Sequence, residues 1–223
     1  MTLAPRIDGP RLAPASGRPA KHLVIFLHGY GANGQDLIDI GRHWAYAMPE
    51  TAFVSPDAPE PCPEAPMGRQ WFAISQPGPN DLWKGVSGAA PALDQFIDAE
   101  LQRHALGPES LALVGFSQGT MMALHVGLRR AQPLAGIVGY SGLLAGAEHL
   151  PHDIKSRPPV LLVHGDEDPL IPVAALPHAA NSLAEVGVNT EWHIRPGLAH
   201  GIDNEGLDLG AEFLRRVFGD QPG

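Results

Sequence analysis

The chain has 223 residues, which suits one α/β domain with a large core, and its 44% hydrophobic content is typical of a globular protein. The net charge of −9, without a basic stripe, argues against nucleic acid as a partner and against a polybasic membrane anchor. The single cysteine, Cys62, cannot form an internal disulfide, and residues 1–18 lack the apolar run of a signal peptide. No apolar run is long enough to span a membrane, so we expect a soluble, cytoplasmic protein without stable membrane insertion.

The N-terminal half of the chain predicts strands and helices after an irregular beginning. Residues 1–20 are rich in proline and glycine, with possible edge strands near Ile7 and Arg11–Leu12. The predicted elements that follow are a buried strand over 23–27, a helix over about 35–48, a short strand over 51–55 and a helix over about 90–106. Before that last helix, five prolines over 56–66 argue against regular structure, 70–74 is predicted to be extended, and a loop continues to about 88.

The C-terminal half of the chain continues the same alternation. The predicted elements are a central strand from about 110, a helix over about 118–130, a strand over 134–140, a loop over 141–153, a strand over 159–164, a helix over about 173–186, a strand over 189–195 and a helix over about 205–218. Short apolar strands without polar alternation predict an α/β fold, with a mostly parallel sheet covered by helices on both faces. We find no repeat or linker, so residues 1–223 are expected to form a single domain. Its site should lie beyond the carboxyl ends of the strands.

A Gly-x-Ser-x-Gly motif follows the central strand and opens the next helix. Ser117 lies in its middle, where a sharp strand-to-helix turn would strain the backbone and expose the side chain. Gly115 and Gly119 are expected because a Cβ at either position would collide with the turn or with the neighbouring strand. The free N–H groups of the following helix would point at the same place. The motif alone is a weak signal, since a serine nucleophile needs a base and an orienting acid.

Two carboxylates and a histidine follow later predicted strands at the same edge of the sheet. Asp166 and Asp168 come after the strand over 159–164, and His200 lies between the last strand and the last helix. With Ser117 they give the order nucleophile, acid, base, which is that of the α/β-hydrolase arrangement. His200 would take the proton of the serine, and the acid would hold the imidazole in the required tautomer. Sequence position alone does not decide between the two carboxylates.

Five motifs together resemble the bacterial carboxylesterase/phospholipase family of α/β-hydrolases, which is similar to the acyl-protein thioesterases. They are Phe26-Leu27-His28-Gly29-Tyr30-Gly31, Gln70-Trp71-Phe72, Gly115-Phe116-Ser117-Gln118-Gly119, His164-Gly165-Asp166-Glu167-Asp168-Pro169-Leu170-Ile171-Pro172 and Gly197-Leu198-Ala199-His200-Gly201. The resemblance covers about 23–218. It implies the α/β-hydrolase fold, and a chain of this length has little room for a large cap domain.

The resemblance also implies roles for particular residues. It makes Ser117, Asp168 and His200 the triad and places the oxyanion hole at the backbone N–H groups of Tyr30 and Gln118. Asp166 is then left as a turn or backbone-bonding residue. The resemblance further implies activity on short to medium acyl esters, no cofactor, a small-molecule ester as the partner and often a homodimer.

Several other residues allow both a structural and a functional interpretation. The candidates for the substrate pocket, each equally compatible with core packing, are Trp71, Phe72, Leu143 and Leu144. His28 and His164 end strands next to glycines, so we expect them to be buried and hydrogen-bonded through the ring. Cys62 has no assignable base and is expected to take no part in catalysis. The eleven histidines form no HExxH or His-x-His cluster, so no metal site is indicated.

We therefore predict a serine carboxylesterase that hydrolyses short to medium acyl esters through an acyl-enzyme. A thioesterase or a lysophospholipase with the same triad is the alternative within enzymes. A dienelactone-type hydrolase would carry Cys at the elbow, where this chain has Ser117. The alternative of another class is a non-catalytic binding module on a hydrolase scaffold, which would not need all three triad residues.

Overall fold

A seven-stranded sheet forms the centre of the computed structural model, which describes residues 5–74 and 79–219. The strands are β1 (Arg11–Leu12), β2 (His22–Leu27), β3 (Thr51–Val54), β4 (Glu60–Pro61), β5 (Arg69–Gln70), β6 (Leu111–Phe116), β7 (Gly136–Tyr140), β8 (Val160–Gly165) and β9 (Thr190–Arg195). The sheet order is β1-β3-β2-β6-β7-β8-β9, and β4 and β5 form a separate hairpin. All neighbours in the sheet are parallel except β1 and β3, so the predicted mostly parallel sheet is confirmed.

Helices cover both faces of this sheet. They are α1 (Gly34–Trp44), α2 (Pro79–His104), α3 (Gln118–Gly127), α4 (Leu150–Asp153), α5 (Ala175–Glu185) and α6 (Asn204–Val217). One core cluster joins the sheet to α2, α3 and α5, and the other joins it to α1 and α6. Within β2, Ile25 belongs to the first cluster and Phe26 to the second, as the alternation of side chains along a strand requires. No helix among the described residues combines the length and apolarity needed to cross a membrane.

The last strand departs from the predicted apolar pattern. β9 lies at the edge of the sheet, and most of its residues are exposed or half-buried. Trp192 and Ile194 are 46% and 41% exposed, whereas the central strands β6 and β8 are almost fully buried. An edge strand has a neighbour on one side only, so the expectation of an apolar, buried strand was wrong at this position.

The helix α2 begins far earlier than predicted. We expected a loop to about 88 and a helix from about 90, but α2 starts at Pro79 and contains Gly85, Gly88 and Pro91. A Cβ on Gly85 would lie 2.3 Å from the Phe72 ring, so this glycine allows close helix packing and does not mark a loop. Tertiary packing therefore overrides a weak local propensity.

The other differences are small. The proline-rich stretch contains β4, which pairs with β5 in a two-stranded hairpin where proline is tolerated. The extended piece predicted over 70–74 is limited to β5, and the loop predicted over 141–153 contains the short helix α4. The edge strand predicted near Arg11 is confirmed as β1, whereas Ile7 is buried without belonging to a strand. Two helices end earlier than expected, α1 at Trp44 and α3 at Gly127.

Candidate active site

Ser117 occupies a strained turn between β6 and α3. Its φ of 53° and ψ of −115° place a non-glycine residue in a sparsely populated backbone region. Its N–H donates to the Tyr140 carbonyl at 2.9 Å, which fixes the turn to the end of β7. The strand, the sharp turn and the helix predicted around this serine are thus confirmed.

The two motif glycines are required by the close approach of other backbone. A Cβ on Gly119 would lie 1.8 Å from the Leu27 carbonyl oxygen, and a Cβ on Gly115 would lie 2.4 Å from the Gly119 carbonyl oxygen. Neither position can hold a side chain without moving main chain. Thr120 adds to the same region, because its hydroxyl lies 2.9 Å from the carbonyl oxygens of both Gly115 and Tyr140.

His200 and Asp168 form a direct hydrogen bond. His200 Nδ1 lies 2.7 Å from Asp168 Oδ2, in the arrangement where Nδ1 donates and Nε2 is left as an acceptor. The other carboxylate oxygen accepts from the N–H groups of Leu170 at 2.8 Å and Ile171 at 2.9 Å. Burial alone would raise the pKa of Asp168, but hydrogen bonds from those two N–H groups and from the His200 ring lower it below its usual value. The carboxylate is therefore charged at neutral pH.

His200 lies next to the turn that carries Ser117. The ring of Phe116 contacts the His200 ring with 5.0 Å between centroids, and the Ser141 hydroxyl donates to the Gly201 carbonyl at 3.0 Å. Within the described ranges, the Ser117 hydroxyl and the His200 ring form no hydrogen bond. Such contacts commonly tighten only when substrate binds.

Asp166 is hydrogen-bonded to backbone groups of the segment before His200, and not to the His200 side chain. Its Oδ1 accepts from the Gly197 N–H at 2.7 Å, and its own N–H donates to the Arg195 carbonyl at 3.1 Å. Asp168, and not Asp166, is hydrogen-bonded to the imidazole of His200. The geometry therefore distinguishes two carboxylates that their sequence positions left unresolved.

Two further histidines support the loops of the site. His164 Nε2 lies 2.8 Å from the Ile171 carbonyl oxygen and 3.2 Å from Asp168 Oδ2, a contact with the acid that the sequence did not indicate. His28 Nε2 accepts from the Ala58 N–H at 3.0 Å, so Nδ1 donates to the Gly29 carbonyl at 2.8 Å. Burial lowers the pKa of His28, which keeps this ring neutral. Across residues 5–74 and 79–219, no three His, Cys, Asp or Glu side chains gather as a metal site.

The loop after β2 lies against the serine turn. A Cβ on Gly29 would lie 3.3 Å from Ser117 Cβ, so the loop comes close to the candidate nucleophile one residue before Tyr30. The N–H groups of Tyr30 and Gln118 donate no hydrogen bond within the described part of the chain. Gln118 is the first residue of α3, where backbone N–H groups have no helical partner. Both groups are thus available to an oxygen atom of a ligand.

The hairpin of β4 and β5 holds this loop. The Gly31 N–H donates to the Arg69 carbonyl at 2.9 Å, and the Arg69 N–H donates to the Ala32 carbonyl at 2.7 Å. The guanidinium of Arg69 donates to the Ala58 and Pro59 carbonyls at 2.8 and 2.7 Å. A hydrogen bond with the Cys62 thiol raises the pKa of the Tyr30 hydroxyl to about 12. The proline-rich stretch therefore supports the loop that follows β2.

The four candidate pocket residues separate into two groups. Trp71, Phe72 and Leu144 are at most 7% exposed and belong to the core cluster. Trp71 and Phe72 also line a cavity of about 510 Å³ beside α2. Leu144 lines neither this cavity nor the groove described next and packs in the core cluster, and its contact with substrate stays a prediction.

Leu143 lines an apolar groove of about 390 Å³ beside the loop of the acid. The other lining residues are Leu170, Ile171, Pro172, Ala174, Ala175 and His178. Leu170 and Ile171 follow Asp168 closely in the chain, and Leu170 is 70% exposed. The groove therefore begins within three residues of the acid and offers mainly hydrocarbon to a ligand.

Comparison with known proteins agrees with this geometry. Residues 13–218 match the family model described as Phospholipase/Carboxylesterase. The chain is 31% identical to an acyl-protein thioesterase 1 of Gibberella zeae over 86% of this chain and 89% of the relative. It is 29% identical to Esterase YpfH of Escherichia coli strain K12, over 89% and 84% of the two chains. The crystal structure of esterase PE8 superposes with a TM-score of 0.91 at 42% identity, covering 95% of this chain and 99% of that one. The chain therefore belongs to the phospholipase/carboxylesterase family of α/β-hydrolases and is a serine hydrolase.

Proposed function

We propose that this protein is a carboxylesterase in which Ser117 is the nucleophile, His200 the base and Asp168 the acid. The observation that carries the proposal is the 2.7 Å hydrogen bond from His200 Nδ1 to Asp168 Oδ2, beside a serine in a strained elbow. That bond leaves Nε2 unprotonated and able to accept the serine proton. The acid is itself fixed by two backbone N–H groups, so the imidazole is held in one orientation.

The reaction follows from these positions. Ser117 Oγ attacks the ester carbonyl carbon while His200 takes its proton, and the carbonyl oxygen becomes an oxyanion. The N–H groups of Tyr30 and Gln118 would stabilise that charge, a contribution of about 10²–10³ in rate for one such donor. His200 then returns the proton to the departing alcohol, and an acyl-Ser117 ester remains. Water, activated by the same histidine, attacks this ester and releases the carboxylic acid.

The groove lined by Leu143 and Leu170 supports acyl chains of short to medium length. Its apolar side chains would bury methylene groups, each worth about 0.8 kcal/mol. The loops beside it are too short to form a separate lid. We therefore expect kcat/KM to rise from acetate to butyrate or octanoate esters of p-nitrophenol and to fall for palmitate. A maximum at palmitate, or a jump in rate above the micelle concentration, would contradict this chain-length assignment.

A second candidate, thioesterase activity, is favoured by one comparison. The Gibberella zeae relative is named an acyl-protein thioesterase, and the same triad would attack a thioester carbonyl. Octanoyl esters and octanoyl thioesters with matched leaving groups would separate the two activities. A kcat/KM ratio favouring the ester supports the carboxylesterase, and a ratio favouring the thioester supports the second candidate. Turnover of neither substrate would favour a non-catalytic binding module.

A further inference from the structure

The side chain of Gln118 is buried beside the serine turn, and both its oxygen and its nitrogen are hydrogen-bonded. Its Oε1 accepts from the Trp71 N–H at 2.9 Å, and its Nε2 donates to the Phe72 carbonyl at 2.8 Å. Gln118 is 0% exposed, so both bonds are shielded from water. Gln118, whose backbone N–H is a proposed oxyanion donor, is thus connected through its side chain to residues about 47 positions earlier in the sequence.

Trp71 continues the connection to the other side of the oxyanion hole. Its indole Nε1 donates to the His28 carbonyl at 3.0 Å, and its ring lies 5.8 Å from the His28 ring. His28 precedes Gly29 and Tyr30 directly, and the His28 ring is itself bonded to the Gly29 carbonyl. A continuous path of buried hydrogen bonds therefore runs from Gln118 through Trp71 to the loop that carries the Tyr30 N–H.

We propose that Trp71 and the Gln118 side chain form a bridge that fixes the spacing of the Tyr30 and Gln118 N–H donors. Trp71 is then a positioning residue for the oxyanion hole and not a contact for the acyl chain. This inference rests on the proposed function, because the spacing of the two N–H donors matters only if both bind the oxyanion. At 1% exposure, Trp71 presents almost no surface to a substrate, even though it borders the cavity beside α2.

The need for such a bridge follows from where the two donors originate. One belongs to the loop after β2 and the other to the first turn of α3, so no single element sets the distance between them. An oxyanion must lie about 2.7–3.1 Å from each donor for full stabilisation. A displacement of about 1 Å in a reacting geometry can cost about 10² in rate. Rigid coupling of the two segments is therefore a requirement of the chemistry.

The chain provides a matched control for the indole hydrogen bond. Trp44 is also 1% exposed, and its Nε1 donates to the Leu207 carbonyl at 3.2 Å in the core cluster on the other face of the sheet. Trp71→Phe and Trp44→Phe thus remove the same donor and the same ring volume from two buried sites. Both variants should lose thermal stability to a similar extent.

Kinetics should separate the two variants. For Trp71→Phe we expect kcat to fall about 10- to 100-fold with KM changed less than threefold, because the donors are loosened and not removed. Trp44→Phe should keep kcat within about twofold of the wild type. Affinity for a trifluoromethyl ketone, which forms a tetrahedral oxyanion adduct, should fall in parallel with kcat/KM in Trp71→Phe. Equal kcat values for the two variants, or a Trp71→Phe effect confined to KM, would overturn the inference.

A measurement that needs no turnover tests the bridge separately from the proposed function. The Gly31 amide donates to the Arg69 carbonyl of the hairpin and the Ala32 amide donates to the Gly29 carbonyl within the loop, so the hydrogen exchange of these two amides reports the opening of the loop. Exchange should accelerate at least tenfold in Trp71→Phe and in Gln118→Met, which keeps the backbone N–H of residue 118, but not in Trp44→Phe. Unchanged exchange in both bridge variants would overturn the inference even if the wild type is an active esterase. If exchange accelerated in the two bridge variants but the wild type hydrolysed no ester, the result would contradict the proposed function and leave the bridge intact.

Discussion

The two sides of the candidate site are held in different ways. On the acid–base side, Asp168 is fixed by the N–H groups of Leu170 and Ile171, two and three residues further along the chain. On the oxyanion side, the loop after β2 is fixed by Arg69 and Trp71, about forty residues further along the chain. Asp168 is therefore held by residues of its own motif. The loop after β2 is held by a distant segment whose sequence does not indicate this role.

This difference teaches where a mutation should act on chemistry and where on geometry. Changes on the acid–base side remove a charge or a proton acceptor and should have large effects on kcat. Changes in the supporting segment leave every reacting group present and alter only distances. Their effects on kcat should be smaller, and they should be accompanied by a loss of stability.

The largest effect on kcat is expected for Ser117, which lies between the two sides of the site. Ser117→Ala should lower kcat by about 10⁴–10⁶, because members of a triad act as a unit. The fold should be retained, since the side chain is only partly buried. Steady-state hydrolysis of p-nitrophenyl butyrate and circular dichroism provide the measurement, with Ser87→Ala on α2 as the matched control. More than about a tenth of wild-type activity in Ser117→Ala would exclude this serine as the nucleophile.

The acid–base side can be tested with two neighbouring isosteric substitutions. Asp168→Asn should lower kcat by about 10⁴, because the imidazole loses control of its tautomer. Asp166→Asn keeps an oxygen that can accept from the Gly197 N–H, so its kcat should change little. The two substituted residues lie two positions apart, and only Asp168 is hydrogen-bonded to His200. If Asp166→Asn were the more damaging of the two, the acid would have to be reassigned.

The pH dependence of kcat/KM tests the base on the same side. A histidine base must be neutral to accept the serine proton, so kcat/KM should fall about tenfold per pH unit on the acidic limb of the profile. The pKa of Asp168 is lowered, so its carboxylate stays ionised from pH 5 to 8 and adds no second ionisation there. Initial rates across that range, with the fold monitored by circular dichroism, give the profile. A flat profile would be incompatible with a histidine base.

The smallest effect on kcat is expected for Arg69, which supports the loop after β2. Arg69→Met removes two hydrogen bonds to backbone carbonyls, at Ala58 and Pro59, and should lower kcat about tenfold at most. Its Tm should fall by a few degrees. Arg157→Met is the control, because Arg157 is an exposed residue before β8 that also donates to a backbone carbonyl, that of Val186 after α5. Equal kcat in the two variants would show that the hairpin does not support catalysis.

The same contrast explains how much the sequence could predict. The elbow was predictable because Gly115 is forced by contacts within one strand–turn–helix unit and Gly119 by the close approach of the neighbouring strand β2. Sequence position alone did not separate Asp166 from Asp168 as the partner of His200; the family resemblance implied Asp168, which is hydrogen-bonded to His200 in the structure. The early start of α2 was missed because Gly85, a helix breaker in isolation, packs against Phe72.

Local sequence patterns could not predict the contacts of the candidate pocket residues. Leu143 and Leu144 are adjacent, yet one lines the groove and the other joins the core. Trp71 bonds to His28 and Gln118, which lie on opposite sides of it in the sequence, so no spacing rule could have indicated the contact. Long-range packing decides such positions, and a single sequence does not show it.

Covalent labelling with a fluorophosphonate tests the central claim most directly. The reagent requires an activated serine, an adjacent base and an oxyanion hole together, so one experiment examines both sides of the site. We predict one adduct per chain, mapped by peptide mass spectrometry to Ser117 and absent from Ser117→Ala. No adduct in the folded wild type, or an adduct on any other residue, would contradict the assignment of Ser117, His200 and Asp168 as a working triad.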